Sequence, residues 1–169
     1  MYYQCYYHSP IGKLLLASSE TNLIGLWMEN QKYFADTLPK NAIFNKTIPI
    51  LEQTKKWLDR YFNSEKPDSN ELPLAPFGSD FRQRVWKILR EIPYGETLTY
   101  GDIAKKIAQE TDKKSMSAQA IGGAVGHNPI SIVIPCHRVI GANGNLTGYA
   151  GGIDKKIQLL EIEKRKKYV

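Results

Sequence analysis

Cysteine is nearly absent from this chain of 169 residues: there are two, Cys5 and Cys136, far apart in sequence. A disulfide framework is thereby excluded, and a reactive thiol would need a reducing compartment, which points to the cytoplasm. Histidine is almost as sparse, with three. Cys5 and His8 could begin a metal site, but tetrahedral coordination wants four donors, and no further cysteine or histidine occurs before His127. No metal and no cofactor are expected. Long apolar runs are missing as well: none approaches the ~18 residues of a membrane span. The first ten residues also lack the basic-then-apolar pattern of an export signal. Neither a membrane-spanning nor a secreted protein is expected.

Acidic residues are outnumbered, 17 against 23 basic, and the resulting charge of +6 favours a polyanionic partner. The length is sufficient for a real core in one domain or two small ones. Residues 2–8, 13–18 and 23–28 read as three strands, separated by the turn-forming Ser9-Pro10-Ile11-Gly12 and Ser19-Glu20-Thr21-Asn22, so an antiparallel meander is expected. Tyr2, Tyr3, Tyr6 and Tyr7 read as cross-strand packing rather than a base-stacking platform. From residue 49 to 63, Ile50, Leu51, Thr54, Trp57, Leu58, Tyr61 and Phe62 recur at helical spacing, with Thr47 as cap and Pro49 in the first turn. This helix should cover the sheet. The polar, aperiodic stretch 63–71 then reads as a connector, giving an α+β domain over 1–75 and a mainly helical domain over 76–169.

In the second domain, Ser79 or Asp80 caps a helix that buries Phe81, Val85, Ile88, Leu89 and Ile92. Thr99 opens another with Ile103, Ala104, Ile107 and Ala108 inward, and Ser115 or Ser117 starts a third that runs to about His127. Two helices joined by a turn in so short a span have the shape of a helix-turn-helix unit. Between residues 116 and 127 the third helix carries no charged lysine, arginine or acid and is rich in alanine and glycine. Such a helix either is buried by its neighbours or enters a groove by shape, because it cannot grip bases with bidentate arginines. A last helix begins at Asp154, with Ile153, Ile157 and Leu160 at helical spacing and a basic end, Lys164-Arg165-Lys166-Lys167, that suits the helix dipole.

The chemistry concentrates between residues 129 and 140. A β-branched apolar run bounded by prolines reads as a short buried strand that delivers Cys136, followed at once by His137 and Arg138. Two bases beside a thiol favour the reactive thiolate. Neighbours on a strand point to opposite faces, so His137 would reach the sulfur through a bridging water unless the backbone turns there.

Asn128-Pro129, Pro135-Cys136-His137-Arg138-Val139-Ile140 and Gly148-Tyr149-Ala150-Gly151-Gly152 together resemble the signature of the O6-alkylguanine-DNA alkyltransferases, and the likeness runs from about Phe77 to Glu163. The resemblance implies an α+β fold, with a small ribonuclease H-like N-terminal antiparallel sheet and covering helix before a winged-helix or helix-turn-helix-like C-terminal domain. It implies irreversible, single-turnover transfer of an alkyl group from O6-alkylguanine, with O4-alkylthymine as a further candidate, onto Cys136 after the damaged nucleotide has left the duplex. In that scheme Glu163 orients His137, which acts through water on Cys136, and Tyr100 donates to the departing guanine. Asn128 buttresses the turn, Tyr149 walls the pocket, the Ala150 N–H approaches the guanine oxygen, and the carbonyls of Cys136 and Val139 accept from its amino group. Ser117, Ala118, Gln119, Ala120, Gly122, Gly123 and Arg138 would meet double-stranded DNA through its minor groove with little sequence preference. The helix N-terminus and Lys105, Lys106, Lys113 and Lys114 would contact phosphates. The protein would act as a monomer. Two departures stand out: Gln119 replaces the family's usual arginine wedge, and Ala150 replaces a frequent serine. A non-catalytic alkyltransferase-like lesion binder and a cysteine hydrolase built on Cys136, His137 and Glu163 are the alternatives. The first lacks a reactive cysteine, and the second needs the imidazole directly on the thiol.

Overall fold

A computed structural model describes every residue except Lys46, Lys114, Ser115, Thr147 and residues 166–169. Strands β1 (Tyr3–Ser9), β2 (Gly12–Ser18) and β3 (Leu23–Met28) form the expected antiparallel meander. The hairpin between the first two closes on Gly12 at φ +116°, a conformation that favours glycine. A two-residue strand, β4 (Ile43–Phe44), was not foreseen and pairs parallel to β1, giving the order β3-β2-β1-β4. Two exposed residues carry no periodicity from which a strand could be read.

Both faces of the sheet are covered, so β2 from Leu14 to Ala17 and the whole of β3 are apolar rather than alternating. Leu14, Leu16, Leu26 and Met28 belong to the main core, whereas Leu15, Ala17, Ile24 and Trp27 pack on the other face against Tyr2, Ala35 and Leu38. Helix α1 (Pro49–Phe62) buries Ile50, Leu51, Thr54, Trp57, Leu58 and Tyr61. Thr47 does not cap it. Ile48 holds the cap position with no side-chain bond, and the Thr47 hydroxyl instead bonds Asn45 Oδ1 in the preceding turn.

The C-terminal half follows the expected helices closely. Ser79 caps α2 (Asp80–Arg90), Thr99 and Asp102 form a reciprocal capping box on α3 (Tyr100–Glu110), and Ser117 caps α4 (Ala118–Gly126). Ser115, the alternative cap, lies outside the described residues. Phe81 is half-buried rather than in the core. The Trp86 indole N–H donates to the Ala124 carbonyl at 2.8 Å and fixes α4 on α2.

The final helix, α5 (Ile153–Lys164), corrects the expectation most sharply. Its buried residues are Lys156, Leu159, Ile162 and Glu163, whereas Ile153 is 40% exposed and Ile157 and Leu160 are half-buried. The inward face is the one carrying polar groups toward the Cys136 turn, so apolar spacing alone chose the wrong face.

Edge strand β3 joins the two halves of the chain. The Leu23 N–H donates to Pro73 O at 2.8 Å and the Ala75 N–H to Leu23 O at 2.9 Å; further along, the Leu26 N–H donates to Pro129 O at 2.8 Å and the Ser131 N–H to Leu26 O at 2.9 Å. The exposed ladder of an edge strand is thus satisfied by the segment that leads into Cys136. One core runs across the junction, from Leu16 and Leu26 through Tyr61 and Val133 to Trp86, Ile121 and Leu159. No described helix is long and apolar enough to cross a membrane.

Gly25 faces the Trp27 ring so closely that a Cβ there would lie 2.1 Å from it. Gly25→Ala is therefore expected to destabilise the fold by about 1–3 kcal/mol through overpacking, read as a lower urea midpoint with unchanged slope.

Candidate active site

The segment before Cys136 is not a strand. After a single bridge between Ile130 and Leu26, the chain folds into successive turns and a 3-10 turn, Cys136–Arg138. Ile132 has φ +70°, a left-handed conformation unusual for a β-branched residue and a sign of local strain. Asn128 holds the turn closed: its amide donates to Ile134 O at 2.7 Å, and its oxygen accepts the Ile130 N–H at 3.0 Å. The periodicity of 129–140 could not distinguish a strand from buried turns, since both are apolar throughout.

Immediately afterwards, β6 (Val139–Ile140) pairs parallel with β5 (Leu98–Thr99). This short ladder places Tyr100, the first residue of α3, beside the Cys136 turn. The 3-10 turn also separates the three side chains of Cys136, His137 and Arg138.

His137 is fully buried and Glu163 is 5% exposed. His137 Nε2 and Glu163 Oε2 make a short hydrogen bond. The Arg138 guanidinium grips both oxygens of the same carboxylate, Nε to Oε1 at 2.8 Å and Nη2 to Oε2 at 3.1 Å, and its Nη1 donates to Ile92 O at 2.6 Å. The Gly95 N–H adds a bond to Oε1 at 3.0 Å, and the Tyr61 hydroxyl one to Oε2 at 2.6 Å. Burial alone would raise the Glu163 carboxyl, but His137 and Arg138 outweigh it and hold the group well below the usual carboxylate range. For His137, burial prevails over the pull of Glu163 and lowers it. The resting pair is thus a neutral imidazole on a carboxylate whose charge Arg138 balances. Arg138, expected on the DNA surface, is buried and committed to Glu163, so that reading is corrected.

The sulfur presents a second correction. Cys136 is 4% exposed, and burial pushes its thiol up, opposed by Asn128, Lys156 and Tyr149, which face it. Arg138 turns away toward Glu163, so the two neighbouring bases do not make a resting thiolate. His137 uses Nε2 on Glu163, and its Nδ1 has no hydrogen-bond partner among the described residues.

Lys156 was missed by the sequence reading. It is fully buried within the helix face that also carries Glu163, and its Nζ donates to Val139 O at 2.6 Å and Gly148 O at 3.2 Å. It therefore ties the loop bearing Tyr149 to β6, and it already occupies one lone pair of the Val139 carbonyl. A signal did exist: residues 156 and 163 are seven apart, so a reading that put Glu163 inward would have put Lys156 inward too.

Tyr149 is half-buried and lines a cavity of about 500 Å³ with Tyr100, Ala150, Gly148, Ala118, Gly122 and Gly123. That volume lies within the range of small-molecule pockets. The Tyr149 hydroxyl lies against Cys136 and Ser131 without a well-formed bond to either, so this side chain stands between cavity and sulfur. The half-buried Tyr100 hydroxyl is raised by burial and by nearby Cys136, which keeps it a donor. The Ala150 carbonyl accepts from the Lys32 N–H at 2.9 Å, so the N-terminal half closes one side of the recess. A larger cavity of about 660 Å³ around Arg90 and Tyr94 touches Arg138 but neither Cys136 nor Tyr149.

Helix α4 buries Ile121, Ala124 and Val125 and leaves Ser117, Ala118, Gln119, Ala120 and Gly123 exposed, with Ala118, Gly122 and Gly123 bordering the cavity. Additional Cβ atoms at Gly122 and Gly123 would meet nothing within 4 Å, so these glycines present open backbone. Lys105, Lys106 and Lys113 are exposed, and Lys114 lies outside the described residues.

A buried cysteine behind a tyrosine that lines a recess, next to a histidine bonded to a charge-balanced glutamate and not to the sulfur, suits a thiol acceptor rather than a hydrolase. Comparison with known proteins makes the class specific. Residues 1–76 match the family model described as 6-O-methylguanine DNA methyltransferase, ribonuclease-like domain, and residues 80–165 match its DNA binding domain. A methylated-DNA–protein-cysteine methyltransferase of Methanosarcina barkeri is 46% identical over 96% of this chain and 97% of its own length. The enzyme of that name from Haemophilus influenzae is 40% identical over 96% of the chain and 86% of its own. The crystal structure of Mycobacterium tuberculosis OGT in complex with DNA superposes with a TM-score of 0.80 at 43% identity, over 96% of this chain and 92% of that one. The chain belongs to the 6-O-methylguanine DNA methyltransferase family.

The relay also sets an acid limit on stability. His137 is lowered from its ordinary 6.5 in the folded state, so its contribution is complete above that value and is lost as pH falls and the unfolded chain binds the proton first. Glu163, lowered from 4.5, adds a loss of the same sign in stronger acid. Urea unfolding free energy is expected to decline from about pH 7 to about pH 5, with a shallower decline in His137→Gln.

Proposed function

We propose that the protein repairs O6-alkylguanine in DNA by moving the alkyl group irreversibly onto Cys136, one event per molecule. The observation that carries this reading is the Cys136 sulfur held behind Tyr149, whose ring lines a cavity that Ala118, Gly122 and Gly123 of α4 also border. A guanine turned out of the duplex reaches this recess through the minor groove, and Tyr149 shifts to admit it. The thiol proton passes from the sulfur through a water to His137 Nδ1, and Glu163 stabilises the resulting imidazolium. The sulfur then forms a bond to the alkyl carbon as the bond from that carbon to O6 breaks. Tyr100 donates to the guanine anion as it forms, and the Ala150 N–H approaches the departing oxygen. Asn128 keeps the turn closed throughout.

Because the product is a thioether and no described group is placed to cleave it, the protein is consumed. Exposed α4 supplies shape rather than charge, and phosphate contacts fall to its N-terminus and to Lys105, Lys106 and Lys113. Gln119 stands where the vacated base would be held; it can hydrogen-bond the orphaned partner but offers no charge. A thiol that must stay reduced suits the cytoplasm.

Intact-protein mass spectrometry after exposure to duplex DNA containing O6-methylguanine should add one methyl mass at Cys136, with a yield capped at one per protein. Cys136→Ala should retain DNA binding and lose transfer, and repeated turnover by the wild type would eliminate the stoichiometric mechanism. Gln119→Arg should speed repair in duplex DNA by about tenfold, a single charge-assisted contact's worth, with little change toward free O6-alkylguanine. Equal acceleration of both substrates would remove Gln119 from the extrusion step.

A further inference from the structure

The alkyl-acceptor residues all lie in the C-terminal half, yet one side chain bonded to the relay comes from the other end of the chain. Tyr61, in the last turn of α1, is fully buried. Its ring stacks on Trp57 at 5.7 Å, meets Tyr94 edge-on at 5.5 Å and presents its edge toward His137. The hydroxyl donates to Glu163 Oε2 at 2.6 Å and lies 3.4 Å from His137 Nε2. Burial, together with the Glu163 charge, raises this phenol well above its ordinary value, so it keeps the proton it donates across the working pH range.

A carboxylate offers about four lone-pair positions. Glu163 receives five donors: Arg138 through two nitrogens, the Gly95 N–H, His137 and Tyr61. Three of them converge on Oε2, so Tyr61 and His137 compete for the same oxygen. We propose that Tyr61 is a positioning residue of the alkyl-transfer site, fixing Glu163 Oε2 and limiting how strongly it draws on the His137 imidazole, so that the N-terminal half tunes the relay. This rests on the alkyl-transfer reading for its purpose, though not for its geometry. The charged and titratable groups facing the pair are Tyr61 from α1, Lys156 from α5, Arg138 from the 3-10 turn and Tyr94 from the loop after α2. Tyr149, from the loop before α5, also feels the Glu163 charge. Among these groups, Tyr61 bonds the oxygen that His137 uses without adding a charge.

The test is Tyr61→Phe, which keeps the ring packing and removes the donor. In the intact protein without DNA, the His137 imidazole titration followed by NMR is expected to move up by about half a pH unit or more, because an undiluted neighbouring carboxylate favours the imidazolium. The acid limb of the single-turnover methyl-transfer rate should move the same way. Trp57→Phe disturbs the stack without touching the hydroxyl and should leave the titration in place; equal shifts in both variants, or no shift in Tyr61→Phe, would overturn the proposal. Tyr61→Phe/Glu163→Gln should match Glu163→Gln alone, whereas independent losses would reduce Tyr61 to packing. If Tyr61→Phe does not fold, the Tyr61 hydroxyl proton of the wild type must resonate far downfield and move back in Glu163→Gln, and its failure to do so refutes the bond. A shifted titration in a protein that accepts no methyl group would remove the alkyl-transfer reading and leave the Tyr61 contact standing.

Discussion

A single buried carboxylate sets the terms for the rest of this molecule. Glu163 sits in the last turn of α5, where the helix dipole opposes a negative charge, and almost no solvent reaches it. Leaving such a charge without partners costs about 3–5 kcal/mol, a large share of a typical domain's stability. The donors that offset this cost come from the 3-10 turn, the loop after α2 and α1. Satisfying them requires both halves of the chain to be assembled. The β3 edge, which holds both residue 75 and residue 131, brings those donors within reach.

Much of this could be read from the sequence wherever a residue's role was local. The meander, the caps at Ser79, Thr99 and Ser117, and the helices they open follow from turn chemistry and apolar spacing, both of which act within a few residues. Cys136, His137 and Glu163 were named, and the structure brings them into one cluster with Asn128, Tyr100 and Tyr149. The failures share a cause. Lys156, Tyr61 and the inward face of α5 owe their positions to a site assembled from distant segments, so α5 turns its Lys156 and Glu163 inward and leaves Ile153 exposed. Tyr61 looked like one more apolar position on α1, because a phenol ring packs like phenylalanine until its hydroxyl meets a partner 102 residues away. Residues 129–140 looked like a strand because nothing in a run of isoleucine and valine announces that an asparagine amide will close it into turns.

The state of the sulfur follows from the same arrangement. A thiolate beside two free bases would react with many electrophiles and oxidants, whereas a thiol raised by burial and shielded by Tyr149 is quiet until something fills the cavity. For a residue consumed by one reaction, that restraint matters more than intrinsic speed. On the proposed mechanism, a His137 kept neutral by burial takes the proton when the alkyl carbon is in place, and Arg138 already balances the carboxylate that would stabilise the imidazolium.

Charge and shape are likewise divided. The chain carries +6, yet the exposed residues of α4 and its cap are alanine, glycine, serine and one glutamine. Long-range attraction to a polyanion needs only net charge and flanking lysines, and it is indifferent to sequence. Close approach needs the opposite, a surface without long side chains, and open backbone at Gly122 and Gly123 provides it. Selectivity on this reading draws little from α4, whose one glutamine would meet only the degenerate pattern of the minor groove. On the proposed function it comes from the cavity lined by Tyr100, Tyr149 and Ala150, where a single base would be held, and from the ease with which a badly paired base leaves the stack.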